Sequence, residues 1–302
     1  MLKRLYPRTR IRAALGIGPE GPPGPDPTSY LHLRYPVRFK PRYTFDRPHP
    51  RLKAILESRR EQFVSELKSV ASLKNDLRRI PERPSGPAEP WWDNVWLPRL
   101  DAAALYMNLA LRNPRTYLEV GSGHSTIFAR RAIRDHGLRT KIVSIDPRPR
   151  IQIDDLCDQV LRLPLEDADL EIFRHLEVGD ILFVDSSHCS YQNSDVTVLM
   201  MDVNPMLPAG VRLHFHDIYW PYDYPAGSQD QFCNEQYLLG AQLLVTGGSN
   251  LELANQYITH EPDLKNIVAP VWDETVRVEG TSMWLTSLPH EQLRPVNCET
   301  KS

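Results

Sequence analysis

The stretch Thr116-Tyr-Leu-Glu-Val-Gly-Ser-Gly-His-Ser-Thr-Ile-Phe-Ala-Arg130 constrains the fold more than any other part of the chain. An apolar run (Tyr117, Leu118, Val120) stops at Gly121-Ser-Gly123. Ile127, Phe128, Ala132 and Ile133 then recur at helical spacing. The pattern predicts a buried strand, a tight turn and a helix. Glycines at Gly121 and Gly123 let the backbone take unusual dihedrals and let a ligand approach, while the helix start offers unpaired N–H groups. Two glycines that simply turn the chain are the plainer alternative.

Two cofactor classes use such a corner. A dinucleotide favours a third glycine, so that the helix packs closely on the strand; Thr126 stands there instead. S-adenosylmethionine (SAM) carries no phosphate, but it has a cationic sulfonium and an amino group, which an acid at the strand end suits. Glu119 supplies that acid, and Ser125 lies on the following helical turn as a further cofactor-side candidate.

The acids that follow keep the same rhythm. Lys141-Ile-Val-Ser-Ile-Asp146 reads as a second strand whose terminal carboxylate accepts from both ribose hydroxyls, or as a turn residue before Pro147. Gln159–Leu163 is a third strand, followed by Glu166 and Asp167, either of which suits an adenine amino group. Gly179–Asp185 and Val211–Asp217 are the fourth and fifth strands, with helices expected over 169–176 and 192–207. Strand and helix alternate, so the fold class is α/β, a doubly wound parallel sheet with ligands beyond the carboxyl ends of the strands. Glu119, Asp146, Asp185, His188 and Asp217 all fall at that edge. The aromatic loop 218–230 joins them there, before a helix over 232–245 and late strands over 251–258 and 282–286.

The rest of the chain divides by composition. Residues 1–53 hold twelve Lys/Arg against three Asp/Glu, within a net charge of -2. Residues 1–50 read as a basic, proline-rich extended arm that lacks the dense basic clusters of a nucleic-acid module. Residues 51–90 read as an amphipathic helix, with Leu56, Phe63, Val70 and Leu77 seven apart, and then a proline-rich linker. That helix either docks on the main domain or makes a homodimer contact. Trp91, Trp92 and Trp96 open a domain over 91–288, as packing residues or as a cap on a ligand, and 289–302 is a polar tail. Four cysteines (Cys157, Cys189, Cys233, Cys298) form no C-x-x-C pair, and no apolar run reaches a membrane span or a signal core. A cytoplasmic protein is expected.

Four segments carry a resemblance: Glu119-Val-Gly-Ser-Gly-His-Ser-Thr126, Ser144-Ile-Asp-Pro-Arg-Pro-Arg150, Phe183-Val-Asp-Ser-Ser-His188 and His214-Phe-His-Asp-Ile-Tyr-Trp-Pro221. Over about 91–288 the chain resembles the class I SAM-dependent methyltransferases, within them the methyltransferase domain 24 family. The resemblance implies a seven-stranded Rossmann-like sheet with the last strand antiparallel. It also implies SAM at the first two motifs and an acceptor among sugars, polysaccharides or natural products. The layout is also similar to the catechol and caffeoyl-coenzyme A O-methyltransferases, which hold a divalent cation. By that likeness Asp185 and Asp217 are candidate Mg²⁺ ligands, though Ile218 stands where those enzymes have an asparagine ligand. His188 stands where they place a lysine base. His188 is therefore the expected base for O-methylation, largely neutral at working pH, with Asp185 and Asp217 beside it and Tyr219, Trp220 and Tyr222 stacking on the acceptor. Capping of the next helix is the plainer role for His188. A methyltransferase-like scaffold without catalysis is the alternative function.

Overall fold

The computed structural model describes residues 40–86, 88–272 and 276–289. The expected arm before residue 40 and the expected tail after 289 lie outside them. Helices α1 (Pro50–Ser58), α2 (Arg60–Ser72), α3 (Lys74–Leu77) and α4 (Arg99–Arg112) come first. Strand β1 (Thr116–Val120), helix α5 (His124–His136) and strand β2 (Lys141–Ile145) follow, then β3 (Gln159–Leu161), α6 (Glu171–Arg174) and β4 (Ile181–Val184). Next come α7 (Asp195–Val198), a π-helical turn (Leu199–Val203), α8 (Asn204–Met206) and β5 (Arg212–Phe215). The chain continues through α9 (Glu235–Thr246), β6 (Leu251–Ala254), α10 (Asn255–Thr259), α11 (Pro262–Val268) and β7 (Met283–Thr286).

The strands form one seven-stranded sheet in the order β3-β2-β1-β4-β5-β7-β6. β1 to β5 run parallel, and β7 runs antiparallel to both β5 and β6. Helices cover both faces, which is why Ile181–Val184 and Arg212–Phe215 are buried at every position. From β1 the order runs to β2 and β3 on one side and to β4 and β5 on the other. A crevice must open where it reverses, beyond Val120 and Val184.

Leu56, Phe63, Val70 and Leu77 are all fully buried, in the same core as the sheet. The expected single helix is three, because the backbone opens at Arg59 and again at Leu73. At the first break the Arg59 guanidinium leaves the helix to donate to the Leu251 carbonyl at the start of β6, 3.0 Å away. Glu66 is buried as well, and both of its oxygens accept from the Arg112 guanidinium at 2.8 Å. The strand expected over 251–258 ends at Ala254 and turns into α10. Asn255 redirects the chain: its backbone N–H donates to the Ser282 carbonyl, and its side-chain amide donates to Asp101 and Ser282.

Candidate active site

The first wall is the turn after β1. Gly121 sits at φ 82°, and a Cβ added there would lie 1.8 Å from the Asp185 carbonyl oxygen, so the ends of β1 and β4 abut where only glycine fits. The Ser122 N–H and hydroxyl donate to Asp146 Oδ2 at 2.8 and 3.1 Å, and the Arg148 N–H donates to Oδ1 at 2.7 Å. A cleft of about 330 Å³ opens against this turn, lined among others by Gly121, Asp146, Arg150, Glu166, Asp185 and Ser187. That is the lower end of the roughly 300–1,000 Å³ usual for small-molecule sites. Of the expected acids, Asp146, Glu166 and Asp185 line it. Trp91 and Trp92 are buried packing residues, while Trp96 is partly exposed and carries the Arg150 guanidinium over its ring.

Glu119 lies beneath this wall and not along the cleft. It is fully buried; Oε2 accepts from the hydroxyls of Tyr117 and Ser125, both at 3.0 Å, and Oε1 accepts from the Thr126 hydroxyl at 2.5 Å. Burial pushes its pKa up to about 8, against the three hydroxyls that favour the carboxylate. Thr126 in turn accepts from the Gly123 N–H at 3.1 Å. The residue that replaces a third glycine thus ties strand, turn and helix together.

The second wall is a row of carboxylates and imidazoles at the ends of β4 and β5. His216 places Nε2 3.4 Å from Asp101, and Nδ1 3.5 Å from Asp185 and 3.6 Å from Asp217. His188 places Nε2 3.3 Å from Asp185 and 3.7 Å from Asp217, while Nδ1 hydrogen bonds Glu235 at 2.9 Å. His188 and Asp217 both hold left-handed backbones, at φ 59° and 53°. The His188 carbonyl accepts from the N–H groups of Asn234 and Glu235, which fixes the loop on the start of α9. Asp217 Oδ1 accepts from the Thr281 hydroxyl at 3.0 Å and from Tyr219 at 3.4 Å.

These neighbours decide the charges. Burial disfavours the His188 imidazolium, but Asp185 and Glu235 outweigh it and hold its pKa well above the ordinary value. His216 is raised likewise, against burial, by Asp185 and Asp217. Asp185 stays well below the usual carboxylate range despite burial, because the two imidazoles face it. The expected neutral His188 is thus pushed toward its imidazolium form by Asp185 and Glu235. His214, one turn of the strand away, is the opposite case. It stacks on Phe183 at 3.9 Å with no hydrogen-bond partner among the described residues, and burial lowers its pKa to about 3.

The Mg²⁺ expectation does not fit this donor set. Asp185 and Asp217 face imidazoles, position 218 is a buried isoleucine, and the described residues contain no group of three or more His, Cys, Asp or Glu suited to a metal. A hard cation takes six or more oxygens, and these two carboxylates already neutralise positive rings.

The aromatic loop is also rearranged relative to expectation. Trp220 is buried, donates to the Gln236 carbonyl and packs so closely on α9 that a Cβ at Gly240 would lie 2.7 Å from its Nε1. Tyr222 packs on Phe45 and His260. Only Tyr219 of the three reaches the acidic row. The Gln236 side chain holds the loop, accepting from the Tyr219 N–H and donating to the Tyr222 carbonyl. From the other side, the N–H groups of Arg42 and Tyr43 donate to Asp223 at 2.6 and 2.9 Å.

Residues 118–218 match the family model described as a methyltransferase domain. The matched stretch, about a third of the chain, is similar to a methyltransferase domain, and it spans β1 to β5 of the sheet. The chain is also similar over 61% of its length to a crystal structure of the SAH-bound methyltransferase PaMTH1 of Podospora anserina, covering 80% of that chain at 15% identity with a TM-score of 0.35. No curated protein matches the sequence. Asp146 at the tip of β2, Glu166 beyond β3 and Asp185 beyond β4 line the cleft together, so it is walled by acids. Among the described residues no helix is long and apolar enough to cross a membrane.

The sequence did not single out Asp101, Glu235 or Gln236, and it marked Thr126 only as the residue in place of a third glycine. Asp101 left a trace, as a lone acid at the start of the apolar run Leu100–Met107. Glu235 left none, because an acid in the first turn of a helix is commonplace.

Proposed function

We propose that the protein transfers the methyl group of SAM to a hydroxyl oxygen of a sugar or related polyol, with His188 as the proton acceptor. The observation that carries this reading is the clamp on His188. Nδ1 bonds buried Glu235 while Nε2 faces Asp185 and Asp217, the arrangement by which a carboxylate orients an imidazole base. SAM supplies an electrophilic methyl on a cationic sulfur. Asp146 and Glu166 hold the nucleoside, and Asp185, at the junction of cleft and row, carries negative charge beside both. His188 Nε2 and Asp217 lie 3.7 Å apart, close enough that one acceptor hydroxyl set beside them bonds both groups, with Tyr219 alongside. Asp185 and Glu235 favour the imidazolium of His188, and the ring acts as a base in its deprotonated form. The carboxylates that raise its pKa also make it a stronger base once free. The acceptor class rests on the family resemblance together with this polar lining.

The test is calorimetric titration with SAM and SAH, followed by SAH release across polyol, phenol and amine acceptors in EDTA. Binding with turnover on hydroxyl acceptors is expected. Turnover confined to amines would move the reading to N-methylation, and tight SAM binding without release on any acceptor would favour the scaffold.

A further inference from the structure

Two cysteines, far apart in sequence, meet beside the second wall. Cys189 follows His188, and Cys233 precedes Asn234 and Glu235. Both thiols point at one atom, the Gln231 carbonyl oxygen, from 3.4 Å for Cys189 and 3.9 Å for Cys233. The backbone between them is already joined: the N–H groups of Asn234 and Glu235 donate to the His188 carbonyl at 2.8 and 3.1 Å, and the Ser190 N–H donates to Asn234 Oδ1 at 2.6 Å. Both residues are half-buried, so a small oxidant reaches them. Two short segments already paired by hydrogen bonds carry the two thiols to one carbonyl oxygen, the kind of close approach that a disulfide between them needs.

We propose that Cys189 and Cys233 form a reversible disulfide, with a small-molecule disulfide as the electron acceptor, that locks the His188 loop onto the start of α9. The Cys189 thiol is the attacking group, since its hydrogen bond with Cys233 lowers its pKa while that of Cys233 is raised. As thiolate it attacks one sulfur of the oxidant, forming a mixed disulfide and releasing one small thiolate, which takes up a proton. Cys233 then loses its proton and attacks the Cys189 sulfur. The internal S–S bond forms, the second small thiol leaves, and two electrons have passed from the pair to the oxidant. The locked segments carry His188 and Glu235 and adjoin Asp185 and Ser187 of the cleft. Oxidation therefore acts on the site without consuming any of its residues, and the inference stands whichever acceptor is methylated.

Peptide mapping without reduction, after equilibrating the full chain in mixtures of reduced and oxidised glutathione, tests the pairing. A Cys189–Cys233 cross-link is expected that excess reduced glutathione reverses. Separate glutathione adducts on the two cysteines, or cross-links to Cys157 or Cys298 instead, would overturn it. Cys189→Ser and Cys233→Ser should each abolish the cross-link and leave an adduct on the remaining partner, and mapping of the unmodified chain decides the matter even if a variant fails to fold. Hydrogen exchange reads the lock. The amides of Asn234 and Glu235 should exchange about ten-fold more slowly in the oxidised protein, and unchanged exchange would refute it.

Discussion

The two walls of the site solve one problem in opposite ways. Both hold buried carboxylates. Beneath the cofactor turn, Glu119 meets only hydroxyls, so burial prevails and its pKa climbs to about 8. In the second wall, Asp185 and Asp101 meet imidazoles and stay ionised, Asp101 lowered despite complete burial with His216 foremost among the groups that oppose it. A neutral donor leaves a buried acid free to keep its proton, while a basic donor takes that proton and keeps the charge. The first wall is a hydrogen-bonded support, and the second is a row of carboxylates paired with imidazoles.

The largest effect should come from breaking the first wall. Gly121→Ala forces a Cβ into the Asp185 carbonyl, and SAM affinity is expected to fall on the order of 100-fold or more, as displaced binding geometry does. Near-normal affinity by calorimetry would show that β1 and β4 can separate freely. Next comes the second wall: His188→Gln should leave SAM affinity nearly intact while turnover falls by about 10²–10⁴-fold, the usual worth of a general base. Equal losses in both would place His188 in cofactor binding. The pH profile separates the walls further. His188 acts only when deprotonated and its folded pKa is raised, so turnover should climb as pH rises above neutral, and a plateau already reached by about pH 6.5, its ordinary pKa, would refute the imidazolium.

Glu119 gives a smaller signal with the reverse sign. Its folded pKa exceeds its ordinary value, so its protonated form supports the fold below about pH 4.5 and that support is lost as pH rises toward about 8. Over this span the melting temperature of the native protein should decline by a few degrees relative to that of Glu119→Gln, which keeps a neutral side chain throughout. Parallel melting curves would mean that Glu119 is ionised in the fold. The smallest effect belongs to Tyr222→Ala. Its ring packs on Phe45 and His260, so turnover should stay close to native; a strong loss would return Tyr222 to the acceptor's side.

The sheet was legible because buried parallel strands are short apolar runs with acids at their tips, as in Ile181-Leu-Phe-Val-Asp185. So were the residues that local spacing puts at the sheet edge, Asp146, Asp185, His188 and Asp217. Partners that arrive from distant helices were not. Glu235 and Asp101 add to what Asp185 and Asp217 do to His188 and His216, yet they lie on helices whose sequence carries no mark of that role. Glu119 and Trp220 were placed at the correct ends of their strands but given open faces. One more turn of packing buries both, and no periodicity within the strand reports what covers its tip.

The docking of Arg42 and Tyr43 on Asp223 bears on how much of the chain the site depends on. The recognisable motif block stops at residue 218, but the loop beyond it is held by backbone N–H groups from a segment 180 and more residues upstream. Asp101 and Glu235 also lie outside the block. A fragment trimmed to the motif block would keep the carboxylates of Asp146, Asp185 and Asp217 but lack Glu235 and Asp101, which face the other ring nitrogens of His188 and His216. The unit that inheritance recognises in this chain is smaller than the unit that chemistry requires.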